Sequence, residues 1–210
     1  IFMFNHGVAS GDPTDKKVIL WTRVTPKKPG PVKISLEISE DIKFSKIVFL
    51  KELQTSSLTD YTIKYDFLAK KYCKSDNGFF YRFKAGKTYS EIGKSNTFSS
   101  KTKKLKIGIF SCSNYPAGFF NAYGAAASRK LDIWLHLGDY LYEYPMGGYA
   151  TDNAEKLGRA PIPLHEMITL SDYRQRHAQY KQDLGSKELH KNVPLIAVWD
   201  DHEFTNDTWK

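Results

Sequence analysis

Residues 131–144 read "LDIWLHLGDYLYEY", and the fold turns on how this stretch is taken. Its first seven residues form a short apolar run, a strand of the buried type, and the run ends at Gly138 and Asp139, a pair common in turns. Upstream, "LKIGIFS" (105–111) has the same character and is followed by "AGFFNAYGAAASRK" (117–130), which has helical composition. Strand, helix and strand in that order predict a β-α-β unit with parallel strands. A third strand, "PLIAVW" (194–199), follows "SDYRQRHAQYKQDLGSKELHKN" (171–192), which reads as one or two helices opened by Ser171 or Asp172 as N-cap. Between them, residues 144–166 make a Gly- and Pro-containing loop whose length suggests function or disorder, including a gate over a site.

Residues 7 to about 100 have a different period. "KKVILWTRV", "PVKISLEIS", "KIVFLKEL", "YTIKYDFLA", "FFYRFKAG" and "SNTFSS" are short apolar or alternating runs, separated by "GDPTD", "PKKPGP" and "KSDNG". Many short strands with turn residues between them predict an all-β sandwich of the fibronectin III or immunoglobulin type. "SSKTKKLK" (99–106) is polar and basic and reads as a hinge. The expected organisation is therefore a sandwich over 1–100 and the start of an α/β domain over 105–210.

Composition narrows the function classes. With 210 residues, 41% hydrophobic and 14% aromatic, the chain has material for real cores. No run approaches the roughly 18 apolar residues of a membrane span, and the first residues lack the pattern of a signal peptide, as in a mature exported protein. The charge of +8 is spread over scattered lysine pairs, so a solvated basic surface is expected and no nucleic-acid groove. The two cysteines, Cys73 and Cys112, are too few for a disulfide framework.

Each expected parallel strand ends in polar chemistry: "FSCSNY" (110–115), "LGDYLYEY" (137–144) and "WDDHEFTND" (199–207). Open α/β sheets place their chemistry beyond the carboxyl ends of the strands. Taken singly, Cys112 reads as a small buried hydrophobe, Asp139 as a turn residue, Tyr142 as a packed aromatic and His202 as a structural histidine. Converging at adjacent strand tips, the four point to a metal site.

"LGDYLY" fits the G-D-x-x-Y form of the second metallophosphoesterase motif, and "DDHE" stands where that superfamily commonly has G-N-H-[DE]. "FSC" occupies the place of the first motif, with Cys112 instead of the usual aspartate. Together with "HGVASGDPTDKKVILWTRV" (6–24) and "VWDDHEFTNDTWK" (198–210), these stretches make the chain resemble the PhoD-like alkaline phosphatase and phosphodiesterase family over its whole length.

The resemblance implies an exported hydrolase of phosphate mono- or diesters that uses a metal-activated hydroxide, with ferric iron and calcium as cofactors, other divalent metals being alternatives. Asp139 matches a carboxylate bridging two ions, Tyr142 a phenolate and Cys112 a thiolate on the iron, which leaves Cys73 a structural or spare thiol. Asp201 stands at the amide ligand of the second ion, where a carboxylate suits calcium. His202 matches the imidazole that contacts a phosphoryl oxygen or protonates the leaving group. Asn206 is a further ligand or phosphate contact, while Asp200 and Glu203 are either groups orienting these ligands or solvated acids. The family's later histidine and aspartate motifs are absent. The chain is accordingly expected to be an N-terminal part of such an enzyme, weakly active alone and completed by a C-terminal chain or segment.

Other readings explain less. A non-catalytic sandwich acting as an adhesion or carbohydrate-binding module, with a degenerate hydrolase remnant, leaves the three strand-end motifs without a role. "HEMIT" at His165 has Thr169 where a zincin needs its second histidine, and neither a G-x-S-x-G elbow nor a Gly-rich phosphate loop is present. "NDT" at Asn206 also fits a glycosylation sequon.

Overall fold

The computed structural model describes residues 3–74, 78–99 and 101–208. Eleven strands run β1 (Val8–Gly11), β2 (Val18–Arg23), β3 (Val32–Ser39), β4 (Ile47–Thr55), β5 (Thr62–Phe67), β6 (Phe79–Ala85), β7 (Thr88–Tyr89), β8 (Gly93–Ser95), β9 (Ile107–Phe110), β10 (Ile133–His136) and β11 (Leu195–Ala197). The helices are α1 (Ala69–Tyr72), α2 (Asn121–Ala127), α3 (Leu170–Tyr180) and α4 (Leu184–Asn192). The expected turn at 74–78 lies in part, at 75–77, outside the described residues, as does residue 100.

Alternation builds the first half. In β2 and β6 buried and half-buried residues alternate without a break, so each strand turns one face inward. Strands β4, β3, β6 and β7 form one antiparallel sheet, with β8 also on β6. It packs against β1, β2 and β5 around Val18, Leu20, Ile34, Leu36, Phe67 and Phe83. The sandwich is thus present, but the last expected strand moves: Gly93–Ser95 pairs with β6, and residues 96–99 of "SNTFSS" are irregular. Cys73 flanks this core, and burial, aided by the nearby Glu40 charge, pushes its thiol up to about 12. Both cysteines are free.

In the second half, β9, β10 and β11 are parallel. Helix α2 links the first two and helices α3 and α4 precede the third. The connection at 101–106 is exposed and irregular, yet the two halves share a sheet of order β5-β2-β1-β11-β10-β9. Gly11 pairs with Leu195, and Asp12 donates its amide to the Leu195 carbonyl at 2.9 Å. A Cβ on Gly11 would stand 2.9 Å from that oxygen, so the junction requires glycine.

The parallel strands were expected to be buried, and only one of their faces is. Trp134, Tyr123, Leu189 and Val193 form a core on the helix side. On the other, Ile133 is buried, but Ile107, Ile109, Leu137 and Ile196 stay exposed, since α2 and α4 pack on the Trp134 face.

Thr169, not Ser171 or Asp172, caps α3. Its hydroxyl accepts the Asp172 amide at 3.3 Å and Asp172 Oδ2 accepts the Thr169 amide at 2.7 Å, a reciprocal capping box. Asp172 stands at the third helical position and cannot cap the helix it belongs to. The Thr169 amide, joined by the Thr169 hydroxyl, the Ile168 amide at 3.2 Å and His165 at 3.3 Å, holds the Asp172 carboxyl at about 2 against an ordinary 3.8. A carboxyl lowered on folding stabilises the fold above pH 4 and loses that contribution as pH falls towards 2. Thermal unfolding from pH 5 to 2 should show a loss of stability that Asp172→Asn makes shallower; an identical pH profile in the variant would exclude this role.

Candidate metal centre

The tips of β9, β10 and β11 meet at one edge. After β10 the chain turns through Gly138 (φ 103°) and Asp139 (φ 54°), both in the left-handed region. A Cβ on Gly138 would lie 2.5 Å from Asp200 Cβ, so glycine permits the β10 and β11 ends to touch. Cys112, after β9, is also left-handed (φ 60°) and donates its amide to the Gly138 carbonyl at 3.2 Å. Ser113 donates to the Asp139 carbonyl at 2.8 Å. Non-glycine residues in this region are strained, and such strain collects at functional sites.

Glu203 locks the arrangement. Its Oε2 accepts the amides of Asp139 (3.1 Å) and Asp200 (2.8 Å), and its Oε1 accepts that of Tyr140. These three bonds tie the turn after β10 to the end of β11. The Asp200 side chain is exposed at the strand end, and its backbone is what the site uses.

Asp139, Asp201 and His202 each bring one ligand atom to within 4.8 Å of the others, enough for one cation to reach all three. Asp139 is buried; its Oδ2 accepts the Tyr142 hydroxyl at 3.1 Å, and its Oδ1 has no partner among the described residues. A buried carboxylate oxygen without a donor is a costly state that a cation relieves. Asp201 Oδ2 accepts the Asp207 amide at 2.6 Å, and this bond, first among several, holds its carboxyl below the ordinary range. Glu143, 1% exposed, takes His202 Nδ1 at 2.9 Å on one oxygen and the Asn206 amide at 2.6 Å on the other. A carboxylate on Nδ1 draws the ring proton there and turns Nε2 into the lone-pair nitrogen.

The Tyr142 ring lies 4.3 Å from that of His202, tilted by 38°. Burial, then the Asp139 charge and hydrogen bond, raise its phenol well above the usual range, so the metal-free site keeps it protonated. The Cys112 side chain also borders that hydroxyl, but its sulfur is outside the three-donor group. Asn206 contributes its amide N–H to Glu143, while its carboxamide turns to Asp207 at 3.0 Å and is exposed. The donors of the cluster are two carboxylates and one imidazole, with a phenol alongside. These oxygen and nitrogen donors and their negative charge suit a metal cation.

Glu143 is the participant that reading the sequence missed; its place four residues after Asp139 in "DYLYE" was the available clue. Arg176 left no such trace. From α3 its guanidinium donates to the carbonyls of Tyr142, Tyr144 (3.2 Å), Ile162 (3.1 Å) and Pro163 (3.0 Å), tying the site to both ends of the long loop. Arg159, in mid-loop, pairs with buried Asp183 at 2.8 Å and lies 3.5 Å over the Tyr115 ring. The 144–166 loop is therefore anchored at several points.

Sequence profiles identify both halves. Residues 2–99 match the N-terminal domain of PhoD-like phosphatase and residues 107–210 match the PhoD-like phosphatase itself. Alkaline phosphatase D of Bacillus subtilis (strain 168) is 37% identical over 98% of this chain and 36% of its own length. A solved structure described as "Structure of PhoD" superposes with a TM-score of 0.86 at 33% identity, covering 97% of this chain and 40% of the other. The chain thus spans less than half the length of these relatives. By its profiles, its identity and its backbone alike, the chain belongs to the PhoD-like phosphatase family.

Proposed function

We propose that this chain carries part of a metal-dependent phosphate ester hydrolase site. The observation that carries the reading is the convergence of Asp139, Asp201 and His202 where the tips of β10 and β11 touch, with one Asp139 oxygen left without a partner among the described residues. The β9–α2–β10 unit, together with α3, α4 and β11, would be the start of an α/β metallophosphoesterase domain, after a sandwich over 1–100. Export to a calcium-rich compartment suits this assignment; among the described residues no helix is long and apolar enough to cross a membrane.

Asp139, Asp201 and Tyr142 would hold the ions, with iron on the Tyr142 and Cys112 side and calcium on the Asp201 side. Bound there, the ions supply Lewis acidity that lowers the pKa of water and offsets charge on the phosphoryl oxygens. The chain's own groups do the rest. Asp139 presents both oxygens once Tyr142 gives up its proton, and Glu203 keeps the turn that aims it. His202, when doubly protonated, donates Nε2–H to a phosphoryl oxygen or hands that proton to the departing alkoxide, and buried Glu143 offsets the imidazolium charge.

Reconstitution with iron and calcium, followed by elemental analysis, a visible spectrum and p-nitrophenyl phosphate turnover, tests the reading. Stoichiometric iron, a tyrosinate charge-transfer band and metal-dependent turnover are expected, the band disappearing in Tyr142→Phe. Turnover indifferent to chelation, or iron that leaves the spectrum unchanged by Tyr142→Phe, would overturn it.

A further inference from the structure

Beside the metal centre lies a cavity of about 440 Å³ whose wall includes Cys112 and Tyr142. Tyr142 is shared: its hydroxyl bonds to Asp139, and its ring closes one side of the cavity. The remaining wall carries five aromatic rings, Phe119, Phe120 and Tyr149 among them, interspersed with small and uncharged polar residues, and among the described residues it contains no lysine, arginine, histidine, aspartate or glutamate. Large hydrophobic side chains normally turn inward, yet Phe119 is 57% and Tyr149 64% exposed at this spot. They come from separate segments, Phe119 from the stretch before α2 and Tyr149 from the long loop. Tyr149 belongs to a ring cluster, 6.2 Å from Tyr142 and 6.0 Å from Tyr144.

A phosphoryl group at Asp139 and Asp201 would carry its alcohol portion towards one side or another. On this side an additional phosphate or a carboxylate would meet no cation from the protein, and leaving water there would cost it free energy. A flat uncharged ring would find aromatic faces and edges at stacking distance. We propose that this cavity is the alcohol subsite of the phosphoesterase and selects esters of uncharged aromatic alcohols over small alkyl ones. The assignment rests on the phosphoester reading of the metal centre, and it adds a preference that the metal ligands alone do not specify.

Phosphonates carry a single organic group, so they report the subsite without ambiguity about which ester arm enters it. Binding of phenylphosphonate and of methylphosphonate to the iron- and calcium-loaded chain can be measured by titration calorimetry, free of any need for turnover. Phenylphosphonate is expected to bind about tenfold more tightly. In Phe119→Ala and Tyr149→Ala, both altered at exposed positions that the cores do not need, the ratio should fall towards one. Equal binding of the two phosphonates, or a ratio untouched by both substitutions, overturns the subsite while leaving the phosphoester reading in place. Failure of both phosphonates to bind the metal-loaded chain overturns both readings.

Discussion

Asp139→Asn is expected to weaken cation binding at least about a hundredfold while leaving the metal-free chain about as stable as before. Substituting groups that merely support metal ligands already costs 10- to 100-fold in affinity, and Asp139 is placed as a direct ligand. Its carboxylate is buried, with Oδ2 on the Tyr142 hydroxyl and Oδ1 on nothing among the described residues. Without a cation that is an unfavourable place for a charge. Asparagine keeps the shape and an acceptor for Tyr142, and it tolerates the left-handed backbone at this position. The neutral amide removes the buried charge but adds N–H donors that need partners, so the two effects largely offset, within ~1 kcal/mol. Calcium and iron titrations beside thermal melts of the chelated protein check both halves. Unchanged metal affinity would remove Asp139 from the centre. A metal-free loss of several kcal/mol would make its role structural.

The second large effect is on stability. Arg176 is 1% exposed and is the common donor to four carbonyls drawn from the β10 exit and the far end of the long loop. Arg176→Met fills much of the volume but strands those oxygens in the interior, with an expected loss of about 3–5 kcal/mol in urea unfolding. Arg176→Lys should recover only part, since one ammonium cannot reproduce a planar fork that reaches in several directions. Because Tyr142 is among the anchored residues, metal affinity should fall in step with stability across the two variants. A Met variant as stable as the wild type would mean that those carbonyls find other partners.

Much of the fold was legible from the order of residues alone. The strands from "KKVILWTRV" to "FFYRFKAG" come from period-2 alternation, which depends only on neighbouring residues. The parallel β9, β10 and β11 come from apolar runs separated by helical segments, and polar residues directly after each run mark the strand tips. The features that sequence reading misplaced depend on longer range. Val8–Gly11 is too short to stand out, yet as β1 it joins the two halves into one sheet through Leu195. The cap of α3 slipped to Thr169 because a capping box shares its hydrogen bonds between two residues, either of which looks like a cap on its own.

At the metal centre the division is the same. Residue types and their spacing determined by themselves that Cys112, Asp139, Tyr142 and Asp201–His202 sit at strand ends, since strand periodicity and turn chemistry are local. Only the tertiary structure decided which of them meet: Asp139, Asp201 and His202 gather, the Cys112 sulfur stays outside that group, and the Asn206 side chain turns away. It alone also supplied Glu143 behind His202, Glu203 across three amides and Arg176 beneath the loop. Apart from Glu203 and Asp200, three positions apart, those contacts join residues about 30 to 60 positions apart, and sequence periodicity holds no record of pairings made only when separate segments pack.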